Sequence, residues 1–386
     1  AGVDGRSRPR EPELEIRTSA SPRVTSASPR VVAAPPKVVS VMSVAPTALD
    51  RLVNAAGLPT LGLELPLDND WGATRLRADR AAGRPFGVPD LTRHAELARL
   101  ADELGFAGLW VRDVPLYDPE RFGDAGSVFE TFTHLGHLAA VTERAVLGTA
   151  AVVLPLRQPL LVAKSAATVD VLSGGRFVLG LASGDRPVEY PLFGEDFQGR
   201  GATFRRGVEI LRAAWARHTD GAGMELPGLG PDAGRHLDVL PKPTGPSVPL
   251  AIAGHAQQSA EWISQNADAS LNYPRPLGAL RLKTREWQEL TAGTSKPYLT
   301  PMQLDLTGDP STAATPIRLG LRTGHQALID HLRAMGELGV AHVSFNLRPG
   351  NRPVEEILDE LAETVLPHFP SPGTAAGTDA AGTVAS

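Results

Sequence analysis

A single (β/α)8 TIM barrel with insertion loops and disordered N- and C-terminal tails is the α/β fold this sequence predicts, and three observations predict it. Between residues 47 and 370, apolar runs alternate with helical patterns eight times. The runs are continuously apolar, as expected of strands buried on both faces of a parallel sheet. The length, 386 residues, holds a barrel of roughly 250 residues plus insertions and tails.

The first unit is the run Thr60–Leu65, followed by a helix over Asp90–Leu104 that Gly105 ends. Ala107–Val111 and a helix over Ser127–Val141 form the second. Ala145–Leu154 is the third strand, and Pro159 opens the helix that runs to Leu172. The Gly174–Gly175 turn leads into Arg176–Ala182 and the helix Thr203–Arg217. Val248–Ala253 precedes a helix over Gln257–Asn266, and Ala267–Leu271 precedes one over Leu277–Leu290. Tyr298–Leu306 is followed by the helix Gly324–Leu338, and Ala341–Leu347 by Pro353–Leu366. A doubly wound open sheet is the competing architecture. It loses because no Gly-x-Gly-x-x-Gly turn follows the first strand.

In such a barrel the reactive face lies in the loops after the strands. Pro66–Pro89, His218–Ser247 and Thr307–Thr323 exceed what barrel geometry requires and are expected to act as lids. The segment 1–46, rich in Ser, Pro, Ala and Arg and lacking aromatics, is expected to be disordered, as is the Gly/Ala/Thr-rich tail 371–386. Val38–Val44 faintly resembles a signal-peptide core but is at the lower length limit and lies too far from the start, so export is not expected, and Met42 is a candidate native start.

Composition excludes several function classes. A net charge of -5 gives no basic face for nucleic acid. No apolar run approaches the ~20 residues that span a bilayer. The absence of cysteine removes disulfides, thiolate chemistry and cysteine-ligated metals, and fits a cytoplasmic protein. No His-Glu-x-x-His and no Gly-x-Ser-x-Gly occurs, so neither a metal site nor a serine nucleophile is expected.

The candidate site residues stand just past the strands. Arg112 and Asp113 end the second, suited to orienting substrate or holding a proton, or equally to a rim salt bridge. Thr149, Ala150 and Ala151 end the third, where small side chains let a planar ring approach the backbone. Ser183-Gly184-Asp185 after the fourth offers a hydroxyl and backbone N–H groups to a phosphate or a ribityl chain, or is a plain turn with an Asp cap. Arg186 and Tyr190 follow in the same loop. After the fifth strand, Gly254, His255, Gln257 and Ser259 precede a helix, a natural anion site because unpaired N–H groups and the macrodipole favour negative charge. Tyr273, Gln303, Asp305, Asn346 and Arg348 complete the rim, each more structural than catalytic by itself. His94, His134 and His137 fall on helices, and His134, near the start of its helix, is the strongest catalytic candidate of the three.

The run Leu147-Gly-Thr-Ala-Ala-Val-Val-Leu-Pro-Leu-Arg-Gln-Pro159 continues through Ala163-Lys-Ser-Ala and Asp170-Val-Leu-Ser-Gly-Gly-Arg-Phe177 to Leu179-Gly-Leu-Ala-Ser-Gly-Asp185. This stretch resembles the luciferase-like monooxygenase class, with Gln158 where the family commonly has histidine. The similarity extends over Leu61–Phe369. The luciferase-type oxidoreductase subgroup is marked by Leu109-Trp-Val-Arg-Asp-Val-Pro115, Ala182-Ser-Gly-Asp-Arg-Pro-Val-Glu-Tyr190, Gln258-Ser-Ala-Glu-Trp-Ile263, Thr315-Pro-Ile-Arg-Leu-Gly320 and Asn346-Leu-Arg348.

The resemblance implies a flavin over the third strand, either FMN reduced by a separate flavin reductase or the deazaflavin coenzyme. It also implies a non-proline cis peptide near positions 150–152 and a phosphate at Gly254–Ser259 with the Ser183–Gly184 loop nearby. A small-molecule substrate and a homodimer are part of the same expectation. Many members end the second strand with a histidine; Arg112 and Asp113 occupy that region here. Arg112, Asp113 and Tyr190 are therefore the residues expected to orient substrate and manage protons. A reduced-FMN monooxygenase is the leading reading. A deazaflavin-dependent dehydrogenase or reductase is the first alternative, and a flavin-binding protein without turnover the second.

Overall fold

Eight parallel strands close on themselves in a computed structural model that describes residues 46–118, 120, 128–218, 223–228, 230 and 233–372. The strands are β1 (Thr60–Glu64), β2 (Gly108–Val111), β3 (Val146–Thr149) with its continuation β4 (Val152–Val153), β5 (Phe177–Ala182), β6 (Leu250–Ala253), β7 (Ala269–Leu271) and β8 (Tyr298–Leu306). After a hairpin of β9 (Thr315–Ile317) and β10 (Gly320–Thr323) comes β11 (Val340–Asn346). Pairing of β11 with both β8 and β1 shuts the cylinder. All eight expected strands are present, and the open-sheet alternative is excluded. The expected tails, 1–46 and 371–386, lie outside the described residues except for Pro46, Ser371 and Pro372.

The helices of the outer ring are α2 (His94–Leu104), α3 (Thr131–Val141), α4 (Pro159–Leu172), α5 (Arg200–Trp215), α6 (Ala260–Asn266), α7 (Leu277–Leu290), α8 (His325–Glu337) and α9 (Val354–Glu360). Their starts are chemically marked. Pro159 opens α4 with the Gln158 side chain accepting Leu160 N–H at 2.6 Å, so the residue that departs from the family pattern acts as the cap. Gly105, at φ 94°, ends α2 in the left-handed conformation that favours glycine.

Two insertions hold structure that apolar periodicity did not reveal. The loop Pro66–Pro89 contains α1 (Ala73–Ala81), a polar helix whose Asp79 binds Arg75 and Arg84. The loop Thr307–Thr323 contains β9 and β10, with β10 prolonging the barrel wall beside Gln303–Leu306. The third, His218–Ser247, lies between α5 and β6. It therefore leaves and returns at the N-terminal end of the barrel, and its described part lies along the outer helices, Gly228 beside Arg206 of α5 and Leu240 O accepting from Lys164 of α4. The expectation that it closes over the reactive face is corrected on topology: a loop leaving a helix C-terminus returns to the opposite end.

Apolar burial splits into an outer core between sheet and helices and an inner column within the barrel. From below, Ala48, Leu49 and Leu52 plug the column; Ala107, Trp110, Val146, Val178, Ala251, Ala269, Leu271 and Leu299 fill it. Ala150 and Ala253, partly buried, form its upper surface.

Candidate functional site

Trp110 and His342 set the floor. The Trp110 indole N–H donates to His342 Nε2 at 2.9 Å. Nε2 is thereby an acceptor, so the ring proton sits on Nδ1 and is donated to Thr60 Oγ1 at 2.8 Å. Thr60 passes its own hydroxyl proton to Leu52 O at 2.8 Å. Burial pushes the His342 pKa down to about 3, which keeps this chain neutral. The indole lies over Gly148, where a Cβ would come within 2.4 Å of the ring.

Above the floor, one wall is small and the other polar. Ala150 and Ala253, partly buried at the ends of β3 and β6, stand on one side. The peptide between Ala150 and Ala151 is cis, as the resemblance implied. Opposite, Asn346 Nδ2 donates to Glu64 Oε1 at 2.9 Å, and Arg112 Nε lies 3.6 Å from the same oxygen. Asn346 Oδ1 accepts Arg348 N–H at 3.1 Å, and the buried Arg348 guanidinium forms a two-point ion pair with Asp70. Arg348 stacks at 4.2 Å over Trp71. Trp71 Nε1 and Arg348 Nη1 are both buried without a hydrogen-bond partner.

The turn after β6 is the second distinctive feature. Gly254 (φ 59°), Ala256 (φ 43°) and Gln257 (φ 59°) are all left-handed, a cost for the two residues that carry a Cβ. The space over Gly254 is open. His255 is exposed and its Nδ1 accepts Gln257 N–H at 3.0 Å. Ser259 caps α6 by accepting Trp262 N–H at 3.2 Å. Gln258 bridges to the start of α5, donating to Gly201 O at 2.8 Å and accepting from Arg205. At that same helix start Arg200 stacks on Phe197 at 3.7 Å, and its Nε is buried without a partner. Left-handed backbone, the start of a sixteen-residue helix and an unpartnered guanidinium N–H together favour an anion here.

The other candidates stand behind this mouth. Thr149 Oγ1 donates to Gly180 O at 2.7 Å, joining β3 to β5. Asp113 is buried: Arg157 donates to both of its oxygens at 2.7 and 3.0 Å, and Val153 N–H and Thr131 Oγ1 complete the set. Its carboxylate ties the end of β2 to β4 and α3. Tyr190 is fully buried, packs edge-on against Phe197 at 5.1 Å and donates its hydroxyl to Ser183 O. Burial pushes its pKa up to about 12. Tyr190 thereby shapes the Ser183–Gly184 turn, where a Cβ on Gly184 (φ 78°) would come within 2.5 Å of the Tyr190 hydroxyl. Asp185 is exposed in that turn. Of the three residues expected to handle substrate, the structure brings Arg112 to the mouth and uses Asp113 and Tyr190 as braces.

Sequence reasoning passed over Glu64, Asp70 and Trp71. A carboxylate closing an apolar run was the available signal for Glu64. His94 and His134 form a buried pair between α2 and α3, outside the mouth, with Phe129 edge-on to both rings. Among the described residues no group of His, Cys, Asp and Glu has metal-site geometry, and no helix is long and apolar enough to cross a membrane.

Residues 72–303 match the luciferase-like monooxygenase family. An uncharacterised protein of Mycobacterium tuberculosis is 28% identical over 231 residues, 55% of this chain and 76% of that protein. An F420-dependent glucose-6-phosphate dehydrogenase of Beutenbergia cavernae is 33% identical over 192 residues, 49% of this chain and 54% of its own length. The fold is similar to that of the monooxygenase RslO1 from Streptomyces bottropensis, with a TM-score of 0.60 at 22% identity, covering 81% of this chain and 100% of the other. Family match, closed barrel and built mouth agree, and the chain belongs to the luciferase-like monooxygenase family.

Proposed function

We propose that this protein is a flavin-dependent monooxygenase that uses reduced FMN and dioxygen on a small organic substrate. One observation carries the reading. Small residues, Ala150 and Ala151 after β3 and Ala253 ending β6, stand at the same end of the barrel as the left-handed turn at Gly254–Gln257 and the hydrogen-bonded Glu64–Asn346 pair. A planar ring ending in a phosphate matches that layout: single methyl groups beside the ring, and the open turn at Gly254 with Arg200 Nε for the anion. Reduced FMN, when bound, supplies the electrons that activate dioxygen.

The chain's own part is positioning. Trp110 and the plugged column keep water from entering from below. Ser183 and Gly184, held by Tyr190, border the cofactor surface. Glu64, Asn346 and Arg112 orient the substrate, with Glu64 able to accept a proton at its second oxygen. A separate flavin reductase supplies reduced FMN, and the protein works as a homodimer.

The resemblance to an F420-dependent dehydrogenase favours a second reading, hydride transfer with the deazaflavin coenzyme on the same surface. Spectral titration of the purified protein with FMN and with the deazaflavin coenzyme separates the two. Saturable FMN binding, with dioxygen consumed once a reductase is added, is the expected result. Saturation by the deazaflavin alone overturns it. Flavin binding without oxidation of reduced flavin indicates a binding protein.

A further inference from the structure

A cavity of about 350 Å³ lies at the lower end of the barrel, away from the mouth. It sits between the end of α7 and the starts of β8 and β11, and Val53, just past the plug of the column, closes another side. Trp287, Pro297 and Ala341 give it apolar walls.

Tyr298, at the first position of β8, lines it as well. This side chain is 3% exposed, and its hydroxyl is buried without a hydrogen-bond partner. A hydroxyl that gives up water and gains nothing destabilises the fold, and phenylalanine would fill the same space without that loss. The polar groups around it are committed. The Trp287 indole N–H donates to Lys296 O at 2.8 Å, and the Thr291 and Thr294 hydroxyls donate to the carbonyls of Trp287 and Thr291 at 2.7 Å each. What the Tyr298 hydroxyl lacks is an oxygen from outside the chain.

The charge of the lining is one-sided. Among the described residues no aspartate or glutamate lines the cavity, and Lys296 does. Its ammonium is held by Ser264 O at 2.7 Å, one acceptor for three N–H groups. Burial lowers the Lys296 pKa and Asp268 offsets only part of that, as for a cation short of counter-charge. The C-terminal end of α7 opposes an anion, by about two- to fivefold in affinity. A charge-assisted hydrogen bond outweighs it, at about tenfold or more. One negative charge is therefore favoured on balance. A dianion would gain less, with a single cation to meet it.

We infer that this cavity binds a small monocarboxylate with an apolar body. Its carboxylate meets Lys296 and the Tyr298 hydroxyl, and its hydrocarbon lies against Val53, Trp287 and Pro297. The volume, near the lower bound of small-molecule sites, admits a ring with a short chain. Because the cavity stands at the end opposite the mouth, its occupant is a second ligand and not the substrate. The inference stands independently of the flavin reading.

The test is ligand titration of the full chain, followed by calorimetry and thermal shift. The probes are 3-phenylpropanoate, 3-phenylpropanamide, 3-phenylpropylamine and inorganic phosphate. Saturable binding of 3-phenylpropanoate is expected, at least about tenfold tighter than that of the amide, the amine or phosphate. Tyr298→Phe should melt no lower than the parent protein without ligand, because the lost hydroxyl has no partner. It should bind 3-phenylpropanoate at least about fivefold more weakly. Lys296→Gln should remove the preference for carboxylate over amide. Arg112→Ala, in the mouth, should leave the affinity unchanged. No saturation by 3-phenylpropanoate up to about 10 mM overturns the inference, as does equal or tighter binding of the amide, the amine or phosphate. A lower melting temperature for Tyr298→Phe removes its premise. Binding that survives both cavity variants, or is lost in Arg112→Ala, places the probe elsewhere and overturns it too.

Discussion

The two ends of the barrel are built on opposite principles. At the lower end buried charges fasten the loops to the sheet. Asp102 accepts the N–H groups of Glu143, Arg144 and Ala145, and Arg176 donates to the carbonyls of Thr142, Ala145 and Ser173. Asp170 binds Thr244 twice, and the Trp110–His342–Thr60 chain closes the column. At the upper end the charges are paired between neighbouring strands, three buried N–H groups (Trp71, Arg200, Arg348) lack partners, and three non-glycine residues (Ala256, Gln257, Leu319) are left-handed. Below, the Tyr298 hydroxyl and His218 Nε2 are also buried without partners, so what sets the upper end apart is the combination of unpartnered N–H donors with the left-handed turn and the small residues beside it, where a ligand is accommodated.

The largest expected effect breaks the boundary between the two ends. Trp110→Ala empties a fully buried indole site and leaves His342 Nε2 without its donor. A loss of about 3–5 kcal/mol in urea unfolding is expected. A loss below about 1 kcal/mol would mean that the column repacks and is not the fixed floor described.

Acid should loosen the upper outer ring next. Burial, together with the neighbouring histidines, holds His94 down to about 4 and His134 to about 3, against an ordinary 6.5. The unfolded chain therefore binds more protons below pH 6.5. Stability is complete above that value and declines as the pH falls toward 4, by on the order of 3 kcal/mol for each ring. His134→Phe should reduce this slope between pH 6.5 and 4 and leave stability at pH 8 little altered. An unchanged slope would assign acid sensitivity to other groups.

The Asp113 brace comes third. Asp113→Asn keeps the shape but leaves the Arg157 guanidinium with Glu130 as its remaining carboxylate partner. A cost of about 2 kcal/mol is expected, below that of a fully buried pair because Arg157 remains partly hydrated. Substrate affinity should change little if Asp113 acts only as a brace; a selective loss of substrate binding at unchanged stability would return it to the substrate-handling group.

Much of the barrel was readable because local signals agree with the global fold. Gly105, Gly174–Gly175 and Pro159 mark element ends through backbone chemistry that acts within a few residues. The helix α1 escaped because it is polar throughout, and the β9–β10 hairpin because its outer positions face solvent and carry no apolar run. The polar wall was harder still. Glu64 and Asn346 are 282 residues apart in sequence, and only barrel closure brings them within 2.9 Å. Asp113 and Tyr190 were chosen for standing after strands, but a position after a strand does not fix which way a side chain turns.

The smallest expected change in stability belongs to Arg112, and it tests the comparison most directly. Its contact with Glu64 is long, 3.6 Å, and the side chain is partly hydrated, so Arg112→Ala should alter unfolding by no more than about 1 kcal/mol. If the upper end is built for ligands, the same substitution should lower kcat/KM at least about tenfold, the worth of one charge-assisted hydrogen bond. Glu64→Gln separates the two functions of this wall. It keeps the hydrogen bond to Asn346 but cannot take a proton, so it should lower kcat while KM stays near its original value. Equal, small effects of both substitutions on turnover, with clear losses of stability, would place Glu64 and Arg112 with the braces of the lower end.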